Sequence, residues 1–324
     1  MQRLSHSTPT RNPTVRAVLN RAARQLTRAG LHFGHGTDNA RDEAAALIWH
    51  VLGDPPADPK VLSRRLSRAA QAQLRALLDR RVHERIPVVY LTGQCWFAGL
   101  AMHVDARVLI PRSPIAELIE RRFAPWIDAP RVRRILDLGT GSGCIAIACA
   151  RAFPRSHVDA VDISRDALEV ARLNVRRHRL QRRVRLVESD HFAALRSASY
   201  DMIVTNPPYV GRRELQGLPA EYRHEPRRAL AAGTDGLDSV RIILRQAHAH
   251  LKPGGILVCE VGNAERAVRR AYPRVPFLWL SFERGGGGVF LLTREQLVHT
   301  AAPGKMRLET GSRCRAIRWD GYSR

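Results

Sequence analysis

Lysine is almost missing. Of the 53 basic residues in this 324-residue chain, only Lys60, Lys252 and Lys305 are not arginine. Acid is also short, with 30 Asp and Glu, so the formal charge at pH 7 is +23. An excess of this size points to a polyanion nearby. A skew so complete towards arginine equally fits a coding bias, so the charge says only that nucleic acid, or a partner living on it, is a reasonable neighbour. The five cysteines, Cys95, Cys144, Cys149, Cys259 and Cys314, form no C-x-x-C pair and are odd in number. Neither a disulfide framework nor a zinc ribbon fits. The thirteen histidines show no H-x-x-x-H or H-E-x-x-H spacing, so no metal is expected. No apolar run approaches the roughly 18 residues that span a bilayer, and the first thirty residues lack an apolar signal core. The expected compartment is the cytoplasm, with no membrane partner.

What is present divides along the chain. Residues 1–87 read as a small helical domain, because VRAVLNRAARQL, EAAALIWHVL and AAQAQLRALLDRRVHE repeat apolar positions at three and four spacing. Residues 88–110 mix aromatic and β-branched residues with Gly93 and Gly99, as a β-hairpin linker would. From 111 to 298 strand and helix alternate. RRILDLG, HVDAVDIS, VRLVES, YDMIVTN and GILVCEVG read as buried strands, with helices at 143–152, 164–178 and 236–251. Such alternation predicts an α/β fold with a parallel sheet covered on both faces. PFLWLSFE, a run of glycines at 285–288 and VFLLT predict an antiparallel pair at its end, joined by a tight turn. Residues 299–324 show no periodicity and read as a tail without regular structure.

The sharpest local signal is ILDLGTGSGCIAIACA, a strand that runs into Asp137, Gly139, Gly141 and Gly143 before a helix. Glycines there let the backbone turn tightly and bring N–H groups against a ligand at the helix N-terminus. A dinucleotide fingerprint would need glycine where Cys144 stands, whereas D-x-G-x-G-x-G is matched throughout. The next strand ends at Asp162, where an acid meets ribose hydroxyls, and a third ends at Asp190. Three acids at successive strand ends suit a ligand with an amino group, a ribose and an adenine. S-adenosylmethionine has all three.

TNPPYV sets the chemistry of the acceptor. Asn206 follows a buried strand, and Pro207 and Pro208 fix an extended turn with two N–H donors missing. The Asn206 side-chain oxygen and the Pro207 carbonyl can each accept a hydrogen from a planar –NH2, with Tyr209 against its face. Such a clamp aims a nitrogen lone pair and favours positive charge growing on that nitrogen. No general base is evident, and clamp geometry with charge stabilisation suffices. The motif serves either a protein amide or an exocyclic adenine amine, the latter requiring a flipped base. A fold kept for RNA binding without the reaction is a third possibility.

The glycine-rich turn and the acids after it resemble the class I S-adenosylmethionine-dependent methyltransferases, over about residues 111–293. That resemblance implies a Rossmann-like, seven-stranded sheet with an antiparallel last strand. It also implies that Gly139 and Gly141 pass under the methionine part, that Asp162 holds the ribose and that Asp190 lies near the adenine. Asp137, Thr140 and Asn206 complete the expected cofactor set. VLIPRSPIAELIE, the glycine turn and NPPYV followed by EYRHEPRRALAAGTDGLD resemble the protein-(glutamine-N5) methyltransferase family, over about residues 14–298. PRSPIAEL and LPAEYRHEP are similar to its branch acting on large-subunit ribosomal protein L-three. Ser113, Pro114, Ile115 and Ala116 depart from the branch acting on release factors. The resemblance implies glutamine methylation, ribosomal protein L-three as partner, and a catalytic set of Asn206, Pro207 and Tyr209. Acceptor contacts would add Arg112, Ser113 and Pro208. Arg112 could bind the incoming backbone or form a junction ion pair. The segment after the clamp, with Glu225, Pro226 and G-T-D-G at 233–236, reads as a substrate lid. Seven arginines within residues 172–185 are either a ribosomal RNA contact or a solvated helix face.

Overall fold

A computed structural model describes residues 12–53, 59–195 and 198–301. The first helices form where the sequence supplies both an apolar stripe and a cap. In α1 (Val15–Arg28), Val15, Val18, Leu19, Ala22 and Leu26 are buried, and the Thr14 hydroxyl accepts from the Ala17 N–H. Asn39 caps α2 (Ala40–Leu52), which ends at Gly53 with φ 78°. Ser67 caps α3 (Arg68–His83).

The linker departs from expectation at its start. Val88–Thr92 form a short helix, α4, packed on α2, and Gly93 ends it with φ 69°. Two adjacent valines carry strand propensity, but Val88, Val89 and Leu91 all find buried positions from one helical turn, so packing overrides it. The expected hairpin follows as β1 (Gln94–Phe97) and β2 (Leu100–His103), joined at Ala98 and Gly99, both with positive φ.

The remainder forms one seven-stranded sheet. Its elements are α5 (Ile115–Glu120), β3 (Arg134–Leu138), α6 (Cys144–Ala152), β4 (His157–Asp162), α7 (Arg165–Arg177), β5 (Val184–Glu188) and β6 (Tyr200–Thr205). They continue with α8 (Arg212–Gly217), α9 (Arg227–Leu230), α10 (Asp238–His250), β7 (Leu251–Glu260), α11 (Glu265–Ala271), β8 (Leu278–Leu280), β9 (Val289–Thr293) and α12 (Arg294–Ala301). The strand order is β5-β4-β3-β6-β7-β9-β8. The first five run parallel, and β9 lies antiparallel between β7 and β8. This is the class I methyltransferase sheet with its antiparallel last strand. Residues 281–288 join β8 to β9 as a loop over Pro114 and Gly262 rather than as a tight turn. α12 runs to Ala301 and buries Leu297, so the boundary expected at 298 falls inside a helix. Residues 302–324 lie outside the described residues.

Alternate residues of each strand feed two cores. Ile135, Val158, Ala160, Met202, Val204, Ile256 and Val258 pack with α6, α7, the hairpin and the N-terminal helices in one continuous cluster. Leu136, Leu138, Ile203, Leu257 and Cys259 face α10, α11 and α12. The N-terminal helices therefore share a core with one face of the sheet. Strand order reverses between β4 and β6 at β3, which opens a crevice at the carboxyl ends of these strands. No described helix is long and apolar enough to cross a membrane.

Candidate functional site

A cavity opens at that crevice, and Gly139, Gly141, Asp162, Asp190, Asn206, Pro207 and Pro208 are in its wall. The glycine turn is built as its residue types predict: Gly139 and Gly141 have φ of 70° and 53°. At Gly143 a Cβ would come within 3.2 Å of Ala171 Cβ, so this glycine lets α6 approach α7. Asp162 accepts the Gly141 N–H and the Ser164 N–H on separate oxygens, each at 2.9 Å. Burial holds its carboxyl above the usual range despite those two bonds. Asp190 is largely exposed, paired with His191 Nδ1 at 2.6 Å.

Two expected members lie beneath the turn and are not in the wall. Asp137 is fully buried, accepting the Thr140 hydroxyl at 2.6 Å and the Ala146 N–H at 3.0 Å. Burial pushes its carboxyl up to about 7. These bonds brace the turn, and Asp137 Oδ1 is buried with no partner among the described residues. Next to Asp162, Ile163 is 56% exposed in the cavity wall, an apolar surface that suits a purine. An acid at a strand end, backbone turned by glycines and an apolar plate, all in one wall, fit S-adenosylmethionine.

A second cavity lies on the other side of the N-P-P-Y turn, lined by Arg112, Pro114, Asn206, Tyr209, Glu260, Gly262 and the glycines at 286–288, among others. Asn206 lines both cavities. Its Oδ1 is shielded from solvent and has no hydrogen-bond partner among the described residues. The sequence suggested an open acceptor; here a donor can pair with this oxygen only after its surroundings shift. Tyr209 faces the second cavity, whereas Pro207 and Pro208 face the first.

Of the expected acceptor contacts on the linker, Arg112 is in the wall but already paired. Its Nη1 lies 2.8 Å from Glu225 Oε1, and its guanidinium sits over the Tyr222 ring at 5.3 Å. Ser113 is buried outside the wall, donating to Glu260 Oε2 and accepting from the Ile115 N–H.

Several site-forming residues escaped the sequence reading. Glu260 ends β7 inside the second cavity. Gly262, with φ 44°, leaves room for the Tyr209 ring, because a Cβ there would stand 2.6 Å from Tyr209 Cε2. A Cβ on Gly288 would meet the Gly262 carbonyl oxygen at 2.2 Å. The segment after the clamp, read as a lid, contributes Pro226, Arg228, Ala229 and Ala231 to the first cavity. Two carboxylates fasten it. Glu225 meets Arg112 and, at 3.0 Å, His35 Nε2. Burial opposes ionisation of Glu225, but His35 and Arg112 outweigh it and hold the carboxyl below the usual range. Glu221 meets Arg81 at 3.2 Å, and Arg81 also pairs with Glu43 at 2.8 Å. No local pattern in the sequence announces pairings over such separations.

Comparison with known proteins gives the same picture. The family model for the PrmC N-terminal domain matches residues 17–93, and that for the methyltransferase small domain matches residues 121–222. A protein of Bordetella pertussis named ribosomal protein uL3 glutamine methyltransferase is 48% identical over 88% of this chain and 96% of its own length. One of the same name from Neisseria meningitidis serogroup B is 48% identical over 88% of this chain and 94% of its own. Among solved structures, a methyltransferase from Pyrococcus furiosus is 18% identical over 69% of this chain and 98% of that chain, with a TM-score of 0.43. The near-complete match to two such relatives places the chain in one family: it belongs to the ribosomal protein uL3 glutamine methyltransferases.

Proposed function

We propose that this protein methylates the side-chain nitrogen of a glutamine in ribosomal protein uL3, the large-subunit protein L-three, in the cytoplasm before or during subunit assembly. S-adenosylmethionine supplies an electrophilic methyl on a sulfonium sulfur. The observation that carries the reading is the placement of Asn206 in both cavity walls, so that one side chain borders donor and acceptor. Asp162, Asp190, Gly139 and Gly141 form the cofactor side, with Asp137 and Thr140 bracing the turn. The Asn206 oxygen and the Pro207 carbonyl receive the two amide hydrogens, and Tyr209 lies against the amide plane.

An amide nitrogen is a poor nucleophile because its lone pair is delocalised into the carbonyl. The clamp answers this by holding the nitrogen in line and by placing acceptors where positive charge grows. The nitrogen lone pair forms the N–C bond as the S–C bonding pair returns to sulfur, and the surplus N–H proton passes to water. An unpaired buried acceptor costs about 1–3 kcal/mol, and a carboxamide donor relieves that cost when it pairs with Asn206 Oδ1.

The helical region, 1–87 with residues 88–92 added to it, would recognise the ribosomal protein, and 111–298 would carry the chemistry. Mass spectrometry of ribosomal proteins from cells with and without the gene tests the substrate. A single methyl on one uL3 glutamine, lost without the gene, is expected. Unmethylated uL3 in both strains would contradict it.

A further inference from the structure

Glu260 stands in the wall of the acceptor cavity, only 5% exposed, and no role assigned above uses it. Ser113 Oγ donates to its Oε2, and the Tyr209 hydroxyl donates to its Oε1 at 3.3 Å. Among the described residues no cation pairs with it; Arg112, in the same wall, is paired with Glu225. A buried carboxyl without an ion pair is costly, so its two hydrogen bonds to clamp and linker need an explanation.

We propose that Glu260 is a positioning residue for methyl transfer: its carboxylate orients and polarises Tyr209, so that the phenol ring presents an electron-rich face to the amide nitrogen as it becomes cationic. This rests on the reading of the second cavity as the carboxamide site. Tyr209 is confined on one side by Gly262, where a Cβ would collide with the ring. The carboxyl fixes its other end, and Ser113 keeps that carboxyl from rotating away. A hydrogen bond donated to a carboxylate moves negative charge onto the phenol oxygen and ring. The ring face then attracts cationic nitrogen more strongly. Only the ionised carboxyl accepts from both hydroxyls with no competing proton of its own.

Burial pushes the Glu260 carboxyl up to about 7, against the lowering effect of the Ser113 and Tyr209 bonds, so both forms exist near neutral pH. Tyr209, Cys259 and Arg112 beside it do not change charge in that range. Burial raises Tyr209 and the adjacent Cys259. Burial opposes the charge on Arg112, but the attraction of Glu225 outweighs it and raises Arg112. Glu265 and Arg266 line the same cavity further out, and His35 contacts Glu225 rather than Glu260.

Two measurements test the role. The first follows the ring-carbon resonances of Tyr209 in ligand-free, full-length protein from about pH 5.5 to 8.5, assigned by their loss in Tyr209→Phe. A titration with a midpoint near that of Glu260 is expected in the wild type, and its absence in Glu260→Gln. The second is kcat/KM for methyl transfer to purified uL3. The wild-type value should rise about tenfold through the same midpoint, while Glu260→Gln stays at the low-pH level throughout. A wild-type Tyr209 signal that does not titrate overturns the proposal without any Glu260 variant. So does a Glu260→Gln enzyme with the wild-type pH profile. A titrating signal in a protein that transfers no methyl to uL3 supports the coupling and refutes the substrate reading.

Discussion

At the scale of single residues, the site depends on how burial acts on a few polar atoms. Asp162 and Asn206 stand out in the sequence because each ends a buried strand and is followed by a turn of fixed geometry. Asp137 shares that signal yet does different work. The sequence marks it as a cofactor residue, and the structure places it under the glycine turn, holding Thr140 and the Ala146 N–H. Its protonation has a consequence for stability. The carboxyl is raised in the folded protein to about 7 from an ordinary value of 3.8. Between these values the folded chain holds a proton that the unfolded chain has lost, so stability falls as pH rises through the window. Asp137→Asn removes this slope, on the order of 1 kcal/mol per pH unit. Urea titrations at several pH values check it. A slope unchanged by the substitution would show that Asp137 is ionised in the folded protein.

At the scale of elements, the parallel strands were legible because hydrophobic runs bounded by Gly, Asp and Asn recur along 134–260, whereas their spatial order was read only from the structure. The short helix α4 was not legible, because Val88 and Val89 suit a strand locally and only their packing on α2 decides otherwise. Glu260 was illegible for another reason: its partners come from distant elements. Ser113, in the PRSPIAEL stretch, is 147 positions away, and no motif around Glu260 announces the pairing. Gly262 sits after β7 in an ordinary strand-end position, and its purpose shows only once Tyr209 lies against it. Gly262→Ala places a methyl where the ring now stands, on a residue with φ 44°. The ring must shift, and misplacement of about 1 Å near reacting atoms can cost about 10²-fold in rate. Cofactor affinity should be unchanged, since Gly262 is not in the first cavity. Steady-state kinetics with calorimetry separate the two effects, and a wild-type kcat in Gly262→Ala would deny Tyr209 its place at the amide.

At the scale of the whole molecule, the N-terminal helices, the linker and the segment after the clamp are held together by charge as well as by a shared core. Arg81 reaches Glu43 on α2 and Glu221 beyond the clamp, and Glu225 reaches His35 and Arg112. Breaking such buried pairs leaves an uncompensated charge and costs about 3–5 kcal/mol, so these parts stay in register around both cavities. The two cavities then meet at one residue, Asn206. The direct test is Asn206→Ala, with methyl transfer to purified uL3 and calorimetric cofactor binding measured on the same preparation. A fall in kcat of about 10² or more, with the cofactor still bound, is the predicted result. Undiminished turnover would show that the Asn206 oxygen does not hold the amide.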